Sequence, residues 1–162
     1  QFMDAENLAT LSALELGSPV RVLAASSNAR KIAVGLGAGQ VAILDEAGRL
    51  LRIHADLGAP VLSLAFAPRG DVIIAGTSDG ALHWLSTSDE RRLADLPLHQ
   101  LGVLALRVLP DGTTITGGGD GAMFKLGAGR ALLGGLYSAE GPGWTDDSAQ
   151  RQESRGPLIT TK

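Results

Sequence analysis

From Pro19 onward the chain is a succession of short apolar runs broken by turns rich in Gly, Pro, Asn and Asp. An apolar run, a turn, a second run, a Gly-rich turn, a third run, a charged turn and a fourth run make one cycle. Short β-type runs between such turns read as antiparallel strands. The first cycle predicts strands near 19–25, 31–35, 40–44 and 50–54. The second predicts them near 60–66, 72–76, 81–86 and 92–96, and the third near 102–108, 113–117, 122–126 and 131–136. A helical reading would need apolar residues at spacings of three and four over ten or more positions. The placement of Gly and Pro does not allow that.

The cycle is a true repeat. Shifted by 41 residues, PVRVLAASSNARKIAVGLGAGQVAIL (19–44) falls on PVLSLAFAPRGDVIIAGTSDGALHWL (60–85) with eight of 26 positions identical. Shifted again, VIIAGTSDGALHWL (72–85) falls on TTITGGGDGAMFKL (113–126) with six of 14 identical. Just upstream the offset becomes 42, matching VLSLAFAPRG (61–70) to VLALRVLPDG (103–112). LATLSALEL (8–16) sits one period before Leu50–His54 and reads as the fourth strand of a missing earlier copy. Four short strands per 40–45 residues is the period of a propeller blade. The expected fold is therefore all-β: three four-stranded antiparallel blades forming a partial or assembled β-propeller. The division is an N-terminal segment at 1–16, blades at 17–57, 58–98 and 99–137, and a tail, linker or disordered extension at 138–162.

HQLGV (99–103), PDG (110–112) and GGGDG (117–121) in the third copy, with the Asp-Gly turns of the second, carry a resemblance to the WD-repeat β-propeller family. It covers roughly residues 8–136. The family's tryptophan, six residues after the turn Asp, is Leu126 in the third copy, Leu85 in the second and Leu44 in the first. Trp84 stands one residue early. Side chains alternate along a strand, so it points to the other face. The resemblance implies a buried hydrogen-bond network of Asp, His, Ser or Thr, and Trp. His99, Thr116 and Asp120 are the third copy's candidates. The second copy keeps Asp79 but has Ala75 at the hydroxyl position. The first has Ala38 and Val34 at the Asp and hydroxyl positions.

Composition narrows the setting. Hydrophobic residues are 44% and charged residues 19%, which fits a globular chain. The net charge of -3 supplies no basic field for nucleic acid or anionic lipid. No apolar run approaches the length of a membrane span, so neither nucleic-acid binding nor direct membrane insertion is expected. The absence of cysteine excludes disulfides and thiolate metal sites without choosing a compartment. Eleven Arg against three Lys, with abundant Ala and Gly, suggests a GC-rich bacterial genome. The sequence begins at Gln1, as a processed product or part of a longer chain could, and QFMDAENLA lacks the regions of a secretion signal.

Closed propellers typically have four to eight blades. Three blades leave apolar sheet faces to be covered by another chain, by a second copy or by further blades. In the tail, Trp144 is a candidate anchor on a partner. GLGAG (35–39) and GGGDG (117–121) resemble phosphate loops, but such loops open a helix, whereas these connect two strands. His54, Asp56, Asp79, His99, Gln100 and Asp120 are expected toward one loop end. His54, Asp56 and Gln100 are the candidate partner-facing residues there. RGD (69–71) is an ordinary turn between first and second strands. No nucleophile-elbow spacing appears. No catalytic, cofactor or metal site is assigned. The expected function is a non-catalytic scaffold that mediates protein–protein interaction or complex assembly. One alternative is part of a propeller enzyme or a sugar-binding subunit whose site other blades complete. Another is a purely structural subunit of a larger assembly.

Overall fold

The computed structural model describes residues 2–3, 10–12, 14–26, 28, 30–54 and 56–127, with no side-chain detail before Leu14. Thirteen strands are described, and no helix. β1 (Phe2–Met3) and β2 (Thr10–Ser12) form a two-stranded antiparallel sheet. The segment expected as a lone fourth strand thus pairs with the residues before it. β3 (Val20–Ser26), β4 (Lys31–Leu36), β5 (Val41–Asp45) and β6 (Leu50–His54) form the first blade sheet, in chain order. β7 (Val61–Phe66), β8 (Val72–Thr77), β9 (Ala81–Ser86) and β10 (Arg92–Pro97) form the second. β11 (Val103–Val108), β12 (Thr114–Gly118) and β13 (Met123–Leu126) form the third. The expected strand at 131–136 and the tail with Trp144 lie outside the described residues.

Each sheet is a meander, because consecutive apolar runs joined by short turns pair most cheaply with their neighbours in sequence. The turn chemistry repeats. Gly39, Gly80 and Gly121 close the turns between second and third strands, each donating its N–H to the residue three back. All three have φ between 79° and 90°, which a side chain would strain. A second set of bonds ties these turns to the entry of the first strand. Gly37 N–H donates to Pro19 O, Ser78 to Pro60 and Gly119 to Gly102, each at 2.9 Å.

The sheets stack through their first strands, with β7 packed between β3 and β11. Alternation then sends each strand's residues to two different cores. Between the first two sheets lie Ala33, Val41, Val61, Leu64, Ile73 and Leu85. Between the second and third lie Ile74, Leu82, Trp84, Val103 and Leu126. Trp84 and Leu85 therefore point to opposite neighbours, as the one-residue displacement of Trp84 requires. A third cluster, Val34, Leu36, Ala42 and Leu44 with Leu16 against it, covers the far side of the first blade.

Candidate functional site: buried networks and the loop end

The stretch from Leu98 to Gly102 before β11 is one residue longer than its counterpart from Leu57 to Pro60 before β7. Leu57 and Leu98, 41 apart, both donate their N–H to the Gly of the preceding turn. Pro60 and Gly102, 42 apart, both accept from the following turn. The extra residue thus falls between Leu98 and Gly102, and the longer stretch carries His99. The His99 side chain is fully buried. Its Nδ1–H donates to Asp120, 3.1 Å from Oδ1, and its Nε2 lies 2.9 Å from Thr116 Oγ1. Asp120 also accepts the N–H groups of Gln100 (2.8 Å) and Ala122 (3.0 Å). Those backbone donors, with help from His99, hold the Asp120 carboxyl below the usual carboxylate range. Phe124 sets its ring edge-on to the imidazole at 4.9 Å. The structure brings His99, Thr116 and Asp120 into one network.

The second blade builds its network from other residues. Ala75, aligned with Thr116, is an apolar core residue. The hydroxyl comes from Thr77, two positions on, which donates to Asp79 Oδ1 at 2.6 Å and lies 3.2 Å from His83 Nε2. The Nδ1–H of His83 donates to Asp95 at 2.6 Å. The Thr77 hydroxyl is the largest cause of the lowered Asp79 pKa. Sequence reasoning missed His83 and Asp95. The signal was the hairpin itself, since the expected strands 81–86 and 92–96 place these two residues directly opposite each other.

Both sets read Thr–His–Asp, the residue types of a nucleophilic relay. Thr77 and Thr116 are almost fully buried, however, and their hydroxyls are engaged by the neighbouring His and Asp side chains. They hold turns and strands together, as buried polar groups with complete partners do. Among the described residues no group of three His, Cys, Asp or Glu side chains could hold a metal ion.

His54 corrects an expectation. It is only 3% exposed and does not face the loop end. Its Nε2–H donates to Ser86 O at 2.8 Å, across to the neighbouring blade. Strand twist carries the end of β6 against the turn that follows β9. Burial pushes the imidazole pKa down. Beside it, Arg92 Nη2 donates to Asp56 O at 2.6 Å. Asp56 is exposed with φ 43°, and its carboxylate accepts the N–H of Gly58. Gln100 is exposed next to Leu101, which is 56% exposed. Asp56, Asp79 and Gln100 are therefore exposed, while His54 clasps two blades.

A groove of about 410 Å³ runs along the first strands and the free face of the third sheet, lined in part by Leu62, Leu104, Ala105, Arg107 and Met123. The Gly-rich loops at 35–39 and 117–121 connect strands.

Comparison with known proteins follows the same lines. The family model "WD domain, G-beta repeat" matches residues 48–84, from β6 through Trp84 of β9. No curated protein matches the chain in sequence. Among solved structures it is similar to a chain of the "Crystal Structure of Mitotic Checkpoint Complex", with a TM-score of 0.68 and 26% identity. The match covers 78% of this chain and 40% of that one, so this chain spans about two fifths of that chain's length. The matched repeat, its in-phase copies and the shared fold support a WD-repeat β-propeller architecture for the chain.

Proposed function

We propose that the chain is a non-catalytic scaffold, an arc of propeller blades that binds other protein through its loop end and its open sheet faces. The carrying observation is the apolar surface at both ends of the described stack. Three stacked sheets leave apolar side chains of the outer two first strands in solvent, with Val20 53%, Leu23 63% and Leu104 62% exposed. Large exposed apolar surface is characteristic of an interaction site. The buried networks support the same reading, because their polar groups bond to one another. Asp56, Asp79 and Gln100 at the loop end, and the Trp144 tail segment, are the proposed partner contacts outside the sheet faces.

The test is affinity capture on the full chain beside a Gln100→Ala, Asp56→Ala variant with unchanged circular dichroism. The scaffold reading expects a protein partner whose recovery falls roughly tenfold in the variant, the loss of about 1.4 kcal/mol. A small metabolite bound along the first strands, with no protein captured, would contradict it.

A further inference from the structure

The two joints between blades use one device. Gly35, on the forward face of the first sheet, forms a notch. A Cβ there would stand 2.6 Å from Val61 Cγ1 of the second sheet. Gly76, one period later, does the same for the third sheet, where a Cβ would stand 2.7 Å from Val103 Cβ. Each blade thus receives the first valine of the next in a glycine notch. One period on again, Gly117 is the third notch, and among the described residues it is vacant. A Cβ there would meet only Ala105 Cβ, at 3.6 Å. At the other end of the arc, Val20 stands where Val61 and Val103 stand, and is 53% exposed.

The outer cover matches as well. Leu57 packs against the second blade, and Leu98 packs into the core shared with the third. Leu16, one period before Leu57, packs in the same way on the first. The first blade therefore carries a leucine in the place of a preceding blade's connecting leucine, and among the described residues no inner blade strands stand beside it. The third sheet offers inner strands with an open forward face.

Charge adds polarity. Strand pairing puts Ala105, Arg107, Ile115, Gly117, Met123 and Lys125 on that forward face. Arg107 and Lys125 occupy the positions that Ala65 and Trp84 hold in the second sheet. At the first joint, Lys31 Nζ crosses to Thr87 Oγ1 at 2.9 Å. The first blade's counterpart of Thr87, 41 residues earlier, is Glu46, whose side chain is 53% exposed. Its present pairing with Arg30 is an exposed one of small worth and is readily exchanged.

Resting on the reading of the chain as an open arc, we infer that its partner is a second copy joined head to tail: Val20 of each copy enters the Gly117 notch of the other, and Glu46 meets the Arg107 and Lys125 side. Two such joints close a two-fold ring of six blades, within the usual range.

The experiment is the absolute mass of the full chain by light scattering after size exclusion, for the wild type, Gly117→Val and Val20→Asp. Among the described residues nothing packs into the Gly117 notch, and Val20 is half exposed, so both variants should keep their circular dichroism. The wild type is expected at about twice 16.6 kDa. Each variant should associate roughly tenfold or more weakly, because overfilling a notch or burying an unpaired carboxylate costs about 1–3 kcal/mol or more. An equimolar mixture of the two keeps one intact Val20–Gly117 joint and should recover dimer. A monomeric wild type, a higher oligomer, a dimer indifferent to both substitutions, or a mixture that stays monomeric would overturn the inference. The scaffold reading has its own test at Gln100 and Asp56 and survives any of these results.

Discussion

His99 and Thr116 stand on different elements, and a hydrogen bond at 2.9 Å joins them. Thr116→Val keeps the shape and removes that bond, so a loss of about 1–2 kcal/mol is expected in urea denaturation. His99→Ala also opens a cavity beside Phe124 and should cost more, about 2–4 kcal/mol. Leu126 fills the family's tryptophan position and is only 4% exposed, packed with Trp84. Leu126→Trp, which restores the family residue, should therefore destabilise by about 1–3 kcal/mol through overpacking. The space has already been given to Trp84.

Acid should act on the same residues in two windows. The folded pKa of His54 is lowered by burial, so the fold holds the neutral imidazole while the unfolded chain takes up a proton near 6.5. Stability linked to His54 is complete above that value and falls as the pH drops below it. His54→Gln keeps a donor for Ser86 O and should flatten this part of the melting-temperature profile. Asp79 and Asp120 are lowered below 3.8, so their share persists to lower pH and is lost as the pH falls through their folded values. The His99–Thr116–Asp120 set was visible in the sequence because it keeps the family's order and spacing. The second blade's set was not, because Thr77 and His83 moved by whole strand positions while keeping the facing geometry.

At the scale of elements, the repeat carried most of the information. Strand positions in the first two blades followed from apolar runs and turn glycines, since the period-2 pattern and the turn residues agree. The jump from 41 to 42 was visible as an offset, but its cause lies in three dimensions: the longer stretch carries His99 under the third sheet. The direction of His54 was not legible, because it depends on how far β6 twists toward its neighbour. The notch glycines allow a paired test. Gly76→Ala should cost about 2 kcal/mol or more in chemical denaturation, since Val103 and the Ser63 side chain occupy the space. Gly117→Ala should change the folding stability of the single chain by about 0.5 kcal/mol at most, since its nearest neighbour is at ordinary contact distance. Equal costs at both positions would contradict the stacking order of the sheets.

At the scale of the molecule, the second sheet is the keystone. Among the described residues it is the one blade sheet whose two faces both pack on neighbouring blade sheets, one against the first and one against the third. Its central strands β8 and β9 are buried along nearly their whole length. Stability is not uniform across a stack of repeats, and the unit with two neighbours should open last. The most direct test of the blade stack is backbone hydrogen exchange followed by mass spectrometry on the full chain. Peptides covering 72–86 are expected to exchange slowest, those covering 31–45 next, and the turns at 46–49 and 87–91 fastest. Exchange across 72–86 as rapid as in those turns would contradict an arc of blades stacked around the second sheet.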